Sequence, residues 1–511
     1  MARTAFVSLL ILVVGLSGGE VSAQNQATGQ ITIAFDASIA TSFLDPAETP
    51  GIGTPFVFLY AMHDALIKPL PGNNMAPCLA ESWTESADGL VYEFKLREGL
   101  KFHNGDPFTA EDVKFSFQRY KGTSFKLLHE RVKSVDIVDP HRIRFVLKEP
   151  WPDFLVFYAT PATGAAWVVP KKYIEKVGEE GFKRQPVGLG PYRFARMTPG
   201  VELVLEANEQ YWRKKPTIKT VVIKGIPDRT TRLAMLKTGE ADLAYLMIGV
   251  EAATVKADPR LRLAKVIPAA TWWLEFPEQW NPKSPWSDRR VRLATALAID
   301  AQAINDAERM GFSRLTGSII PSVLDFALRI EPYGHHPAQA KRLLVEAGYP
   351  NGLDVGELRS TTEFSSFAEA VANSLGTVGI RARVRPVERA TFFEVWRAKK
   401  PTGMILGATA ALGNAATRLE AFVITGATYA YGGYGDIDDL FIQQARERDR
   451  KRREAILHQI QQLMHERVMH APIFEPATLH GIGPRLEEPA VGLNSLLYFA
   501  APYEEMRLKK Q

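Results

Sequence analysis

The stretch "LAESWTESADGLVYEFKLREGLKFHNGDPFTAEDVKFSF", residues 79–117, combines an alternating segment, two turns and a helix start. In "VYEFKLR", apolar Tyr92 and Phe94 alternate with charged residues, which predicts a half-buried strand. Glycine and proline in "HNGDP" predict a turn. Thr109, with Asp112 three residues later, forms a capping-box pattern that predicts the start of a helix. The stretch therefore predicts a mixed α/β protein.

The same stretch holds five residues of the kinds that bind metals or act in catalysis, namely His103, Asn104, Asp106, Glu111 and Asp112. Glu111 and Asp112 fall in the first turn of the predicted helix, where the helix dipole favours negative charge. Asp106 lies in a turn and His103 at the end of a strand. We interpret the cluster as part of the fold rather than as a metal or catalytic site.

This order of segments closely resembles bacterial extracellular solute-binding proteins of family 5, the dipeptide, oligopeptide and nickel binding components of ABC importers. Later segments match in the same order, namely "PVGLGPYRF", "LEANEQYW", "RTTRLAMLKTGEADLAY", "SDRRVRLATALAID" and "AQAKRLLVEAGYPNG". The resemblance runs from about Ile31 to beyond Pro472. It implies an α/β fold, the two-lobed periplasmic binding protein fold of type II in its large three-domain variety, with a hinge between the lobes.

The resemblance also implies how the domains are arranged along the chain. Domain I would combine residues 24–62, 189–268 and 477–511, and domain II would be the insert 63–188; together they form lobe 1. Domain III, residues 269–476, would form lobe 2. The residue patterns agree, because "ITIAF", "VELVLEAN" and "TVVIKGI" predict strands of one sheet.

Residues 1–23 have the pattern of a secretory signal peptide, in which a basic start precedes an apolar run from Ala5 to Leu16 and then small residues. We expect cleavage after Ala23, so that the mature chain begins at Gln24. The apolar run is shorter than the roughly 20 residues of a membrane-spanning helix. These features predict export to the periplasm.

Composition narrows the class of protein further. The chain has 511 residues, an apolar fraction of 46% and a net charge of only +5. Its densest charge run, "RERDRKRRE", mixes both signs, which favours a solvated helix face over a nucleic-acid surface. The only cysteine, Cys78, lies far from the cleavage site. We therefore expect neither a lipid anchor nor an intrachain disulfide.

Catalytic and metal-binding motifs are incomplete or missing in the sequence. The segment "HERVMH", His465 to His470, resembles the H-E-x-x-H zinc motif but carries one residue too many, so its histidines differ by about 140° around a helix. The pair His335 and His336 precedes a helix, which favours a capping loop over nickel ligands. Neither a nucleophile elbow nor a P-loop occurs. We expect no catalytic residues, no metal and no cofactor.

These expectations favour a periplasmic substrate-binding protein of an ABC importer rather than an enzyme. Its solute would be captured between lobes that close by hinge bending. Its partners would be a small-molecule solute and a membrane permease with its ATPase, without nucleic acid, and the protein would be a monomer. The alternatives are a secreted hydrolase on the same fold and a ligand-loaded partner of a signalling sensor.

The resemblance places candidate ligand-binding residues in the cleft: Ser42, Phe43, Trp272, Trp273, Arg359, Gly407, Ala408, Ala411 and Asn414. We expect at least one of Trp272 and Trp273, in "ATWWLEF", to face the ligand, because they follow the crossover into the second lobe, where family members place cleft residues. The alternative is that one of them only packs in the sheet, since adjacent strand residues face opposite ways. Arg359 lies near the family arginine that meets a ligand carboxylate; the alternative is a solvated loop arginine.

The chemistry of the ligand is constrained by one missing residue type. Peptide binders of the family hold the ligand's α-ammonium with an aspartate after a buried strand, but the matching stretch from Met404 has no acidic residue until Glu420. A buried ammonium without a carboxylate is costly. The small residues of this stretch would leave room for a bulky, less polar group. We therefore expect an amphipathic or acidic organic solute rather than a simple dipeptide.

Overall fold

The computed structural model describes residues 27–48, 54–159, 163–410, 413–494 and 496–510, so the predicted signal peptide lies outside the described residues. The strands are β1 (Thr28–Phe35), β2 (Ile67–Leu70), β3 (Asn73–Pro77), β4 (Ala80–Glu85), β5 (Val91–Leu96), β6 (Val132–Asp139), β7 (Arg142–Leu147), β8 (Tyr192–Thr198), β9 (Glu202–Ala207), β10 (Ile218–Gly225), β11 (Leu243–Ala244), β12 (Arg262–Val266), β13 (Ala270–Glu275), β14 (Arg314–Leu315), β15 (Leu353–Thr361), β16 (Ile380–Val387), β17 (Met404–Ala410), β18 (His470–Glu475), β19 (Thr478–Ile482), β20 (Leu486–Glu488) and β21 (Arg507–Leu508). The α-helices are α1 (Thr54–Met62), α2 (Ala110–Arg119), α3 (Phe125–Arg131), α4 (Phe154–Tyr158), α5 (Lys171–Arg184), α6 (Arg229–Thr238), α7 (Gly249–Ala257), α8 (Arg289–Ala298), α9 (Ala301–Arg309), α10 (Pro337–Glu346), α11 (Ser365–Gly376), α12 (Arg389–Arg397), α13 (Ala415–Phe422), α14 (Gly435–Arg446) and α15 (Arg450–Glu466). Among the described residues, no helix combines the length and the apolarity required to cross a membrane.

The first large sheet has seven strands in the order β12-β19-β11-β1-β10-β9-β8. Its central strand β1 is parallel to both neighbours, β10 and β11, whereas the outer pairs are antiparallel. The predicted strands "ITIAF", "VELVLEAN" and "TVVIKGI" lie in this one sheet, as expected. Helix α6 ends at Gly239, whose φ of 82° is a left-handed conformation that glycine adopts without strain.

The second large sheet has six strands in the order β14-β18-β13-β17-β15-β16. Strand β15 is parallel to β16 and β17, and β13 is antiparallel to β17 and β18. Strand β16 buries Ile380 and exposes its arginines, the alternation typical of a strand with one face toward solvent. Helix α10 begins at Pro337 and is followed by Gly348 at a φ of 93°, the usual positions of proline and glycine at the two ends of a helix.

The opening stretch forms part of a third, antiparallel sheet in the order β4-β5-β7-β6. Tyr92 and Phe94 of β5 are buried while Lys95 is exposed, which confirms the predicted half-buried strand. At the start of α2, the Thr109 backbone N–H donates to Asp112 Oδ2 at 2.9 Å, and the reciprocal capping-box bond is also present. Asp112 of the acidic cluster therefore stabilises the start of α2, as the sequence indicated.

Two short crossovers join the first and second sheets. Residues 267–269 connect β12 to β13, and Pro476 with Ala477 connects β18 to β19. We call the first and third sheets with their helices lobe 1, and the second sheet with α8–α15 lobe 2. The domain boundaries at residues 24–62, 63–188, 189–268, 269–476 and 477–511 stay a prediction.

The single cysteine lies deep in lobe 1. Cys78 is fully buried, near an ion pair between Asp64 and Lys68 that is itself buried. Burial raises the pKa of the Cys78 thiol, and the Asp64 carboxylate raises it further. A thiol in this environment stays protonated and unreactive at neutral pH.

Candidate ligand-binding site

A cavity of about 240 Å³ lies between the two lobes, beside both crossovers. Pro268 and Pro476 of the crossovers line it, as does Asp36, which directly follows the central parallel strand β1. The carboxyl end of a parallel strand is a common location for ligand sites in open α/β sheets. The cavity therefore occupies the position where two mobile lobes could enclose a ligand.

Aromatic side chains form much of the cavity wall. They are Phe43, Trp272, Phe364, Phe393, Phe422, Tyr429 and Tyr498. Trp272 and Phe364 are in direct contact, with ring centroids 4.6 Å apart. Ligand pockets with a mainly apolar wall and a few polar groups suit organic molecules that have a substantial apolar part.

Trp272 and Trp273 lie on opposite faces of β13. Trp272 lines the cavity, whereas Trp273 is fully buried against Trp396 and Phe422 on the other face. The Trp273 indole N–H donates to Glu275 Oε2 at 3.2 Å. The strand thus directs one tryptophan toward the cleft and one into the core, as alternation requires.

Gly407 contacts the Trp273 ring and does not line the cavity. The two residues face each other in the β13–β17 register, and a Cβ added to Gly407 would lie 2.3 Å from the Trp273 ring. The glycine therefore makes room for the tryptophan. Ala408, the next residue of β17, points the other way and lines the cavity.

The structure brings Phe43, Trp272 and Ala408 of the predicted site together around the cavity. Ser42 is half-buried in the same helical turn as Phe43 but does not line the cavity. Ala411 lies outside the described residues.

Arg359 and Asn414, also predicted for the site, are engaged elsewhere. Arg359 pairs with Glu357 of its own strand, with Nη2 2.8 Å from Oε2. Asn414 caps α13 and donates to Asp153 Oδ1 at 2.6 Å. Because Asp153 belongs to lobe 1, the Asn414 contact joins the lobes beside the cavity rather than inside it. A ligand role for any predicted residue stays a prediction.

Arg389, the first residue of α12, reaches from lobe 2 to lobe 1 along the cavity wall. Its Nη2 lies 2.6 Å from Asp36 Oδ2, and its Nη1 donates to Thr54 Oγ1 at 3.0 Å. Its Nε pairs with Glu363 of lobe 2. Burial acts to lower the pKa of Arg389, but the Glu363 and Asp36 carboxylates raise it above the ordinary value. The described structure is therefore closed by a bridge between the lobes.

Arg309, the last residue of α9, lines the same cavity without such a partner. Its side chain is only 1% exposed, and its guanidinium lies 4.6 Å from the centre of the Trp272 ring. Neither Nε nor Nη1 has a hydrogen-bond partner within the described part of the chain. Burial lowers the pKa of Arg309 to about 10, so the group stays charged at neutral pH.

The sequence profile described as bacterial extracellular solute-binding proteins, family 5 Middle, matches residues 74–430, which is more than half of the chain. The chain belongs to this family. Among solved structures, this chain has a similar fold to the periplasmic binding protein DppA from Helicobacter pylori in complex with the peptide STSA, with a TM-score of 0.83. That match is 24% identical in sequence and covers 95% of this chain and 99% of DppA. The expected two-lobed α/β fold of type II is confirmed.

Curated relatives in the family bind different solutes, according to their names. The glutathione-binding protein GsiB of Salmonella typhi is 30% identical over 324 residues, covering 61% of this chain and 60% of GsiB. The heme-binding protein A of Haemophilus influenzae is 34% identical over 307 residues, covering 55% of each chain. This chain thus matches only 55–60% of the length of these relatives, and membership of the family leaves its solute open.

Sequence reasoning missed the charged residues of the cavity, namely Asp36, Arg309, Glu363, Glu388 and Arg389. The position of Asp36 directly after a predicted central strand was a usable signal. No comparable signal marks Arg309 in the sequence, because a basic residue in the last turn of a helix is ordinary. Its lack of a partner becomes visible only when the surroundings are known.

The two histidines of "HERVMH" do not form a shared site. His465 in α15 contacts the Gly317 carbonyl oxygen, whereas His470 in β18 lies 3.0 Å from Glu275 Oε2. Within the residues that the structure describes, no group of three or more His, Cys, Asp and Glu side chains could hold a metal ion.

Proposed function

We propose that this protein is the periplasmic solute-binding component of an ABC importer. It captures a peptide-like or other small organic solute in the cavity between its lobes and delivers it to a membrane permease, whose ATPase supplies the energy. Membership of family 5 supports the general role. The observation that carries the proposal is the cavity of about 240 Å³ with walls from both lobes, since binding there couples occupancy to lobe closure.

The cellular setting belongs to the same proposal. The protein is exported through a signal peptide that is cleaved after Ala23, and it acts as a monomer. The pattern of residues 1–23 supports export. N-terminal sequencing of a periplasmic extract tests this part, and we expect Gln24 as the first residue. Recovery of intact Met1 in the membrane fraction would contradict it.

Native mass spectrometry of protein purified from its own periplasm tests the function. We expect a fraction of molecules to carry a small organic compound, which mild unfolding releases and refolding allows to rebind unchanged. Rebinding of the unchanged compound separates capture from catalysis. Conversion of the compound into a product on incubation with fresh protein would instead support the secreted hydrolase, the alternative kept from the sequence.

Tryptophan fluorescence locates the binding event. Titration with the released compound is expected to change the emission of the wild type. The change should be largely lost in Trp272→Phe, because Trp272 lines the cavity. It should persist in the matched variant Trp273→Phe, because Trp273 packs in the core. An undiminished change in Trp272→Phe would place the ligand elsewhere.

A further inference from the structure

We propose that the cavity binds an anionic organic solute whose carboxylate-type group is bound by Arg309 beside the Trp272 ring. This inference rests on the proposed function. Arg309 lines the cavity, is only 1% exposed, and keeps Nε and Nη1 without hydrogen-bond partners in the described part of the chain. Leaving a charged donor buried and unpaired is costly. A ligand anion at this position would supply the missing partner.

Other buried arginines of the same molecule show what a structural arginine looks like. Arg232, also 1% exposed, donates to the carbonyl oxygens of Ile226, Pro227, Tyr245 and Leu246. Its guanidinium joins the segment before α6 to the segment after β11. Backbone carbonyls thus satisfy a buried guanidinium where the fold requires one.

Arg292 has the same kind of surroundings as Arg232. Its guanidinium donates to the carbonyl oxygens of Trp286, Ser287, Arg467 and Val468. Arg309, by contrast, has a cation–π contact with Trp272 and an open cavity. The donors of Arg232 and Arg292 are satisfied by the fold, whereas two donors of Arg309 have no partner among the described residues and lie beside a cavity, so the difference points to a ligand.

The carboxylates of the cavity wall are already committed to other partners. Asp36 and Glu363 both pair with Arg389. Glu388 is exposed and accepts from the Thr391 backbone N–H at the start of α12. Within the described residues, no carboxylate lies within ion-pair distance of Arg309. The positive charge of Arg309 is therefore left for the ligand.

The surroundings of Arg309 also constrain the rest of the solute. Trp272 and Phe364 lie next to each other in the wall, so an anion at Arg309 would continue into an apolar body against these rings. A guanidinium presents several N–H donors in one plane, which suits a carboxylate. The solute class is thus an amphipathic organic acid, in line with the small residues and the missing acidic residue of the sequence.

Protein stability gives a first test that needs no ligand. After removal of bound compounds by unfolding and refolding, Arg309→Met should be at least as stable as the wild type, since an unpaired charge is replaced by an apolar chain. The matched variant Arg232→Met should be clearly less stable, because it leaves four carbonyl oxygens unpaired. Denaturant midpoints measure both. A loss in Arg309→Met as large as in Arg232→Met would overturn the proposal.

Binding gives the second test, with defined probes. Matched pairs of organic carboxylic acids and their primary amides, with aromatic and aliphatic bodies, are titrated by thermal shift and calorimetry against ligand-free protein. We expect acids to bind and their amides to bind at least tenfold more weakly. Arg309→Met should lose at least tenfold affinity for the acids, whereas Arg381→Met, at an exposed position of β16, should match the wild type.

The outcomes separate this proposal from the function on which it rests. Equal binding of acids and amides, or full acid binding by Arg309→Met, would overturn the anion site while leaving solute capture intact. Failure of every acid and amide to bind, together with protein that carries no small molecule from its periplasm, would contradict solute capture itself.

Discussion

Residues 272 and 273 show how one step along a strand separates contact with the cavity from packing in the core. Trp272 faces the cavity and Arg309, while Trp273 is enclosed by Trp396, Phe422 and the bare backbone of Gly407. The alternation of a strand dictates that only one of the two can face the cleft. Which one does so depends on which face of the sheet lies toward the other lobe, and this is a tertiary property.

Replacement of Gly407 by alanine is expected to destabilise the protein, because the added Cβ would meet the Trp273 ring at 2.3 Å. Overpacking of this kind typically costs about 1–3 kcal/mol. Urea unfolding measures the change. The matched variant is Gly376→Ala at the end of α11, where no atom lies within 4 Å of the added Cβ. Gly376→Ala should be neutral or slightly stabilising, and an equal loss in both variants would refute the packing argument.

Secondary-structure elements were the most predictable level of this molecule, because their signals are local. The capping box of α2, the alternation of β5 and the glycine that ends α6 all depend on residues a few positions apart. Strand β11, Leu243–Ala244, is only two residues long, because the extent of pairing depends on its neighbours β1 and β19. Arg309 shows what local sequence patterns do not predict, because the lack of a partner for its side chain depends on the tertiary surroundings.

At the start of α2, Asp112 stabilises two backbone segments at once. Its carboxylate accepts from the Thr109 backbone N–H at 2.9 Å and from the Lys171 backbone N–H at 3.0 Å. Asp112→Ala should therefore cost more than the roughly 1 kcal/mol of an ordinary cap. The neighbouring Glu111→Ala removes only a surface ion pair with Lys171 and should change stability by less than about 1 kcal/mol. Chemical denaturation of both variants measures the difference, and similar losses would contradict this assignment.

The junction between α1 and the opening stretch should make the protein sensitive to acid. Burial lowers the pKa of His63 to about 4 and that of His103 also to about 4. Between about pH 6.5 and 4, the unfolded chain then binds more protons than the folded one, so stability falls as the pH falls. Urea unfolding from pH 7 to 4.5 should show this loss.

The variant His63→Gln identifies the source of that acid sensitivity. It should reduce the slope of stability against pH in this window, whatever its effect at pH 7. A matched replacement of the exposed His336 by glutamine should leave the slope unchanged. An unchanged slope in His63→Gln would show that other groups cause the acid sensitivity.

At the scale of the whole molecule, the bridge between Arg389 and Asp36 joins the two lobes across the cleft. Both side chains are largely removed from water. Loss of one partner from a buried pair typically costs about 3–5 kcal/mol when the other charge stays buried. Here the lobes can instead separate about the two crossovers, which returns the remaining charge to water. The bridge therefore favours the closed form. A solute that broke the bridge on binding would lose the stabilisation that the bridge supplies.

The variant Arg389→Met is expected to shift the ligand-free protein toward an open form. Small-angle X-ray scattering should then give a larger radius of gyration than for the wild type under the same conditions. Arg381→Met, which removes an exposed arginine of the same lobe, should leave the radius unchanged. An unchanged radius in Arg389→Met would show that contacts other than the bridge, such as Asn414 with Asp153, hold the lobes together.

The buried thiol of Cys78 has a practical consequence for following these motions. Because the only cysteine of the chain is inaccessible and stays protonated, thiol reagents should leave the folded wild type unlabelled. Cysteines introduced at Val201 in lobe 1 and Val345 in lobe 2, both 55% exposed, would then carry a spin-label or fluorophore pair at known positions. The distance between such labels reports the opening of single molecules in real time, without first removing a native cysteine.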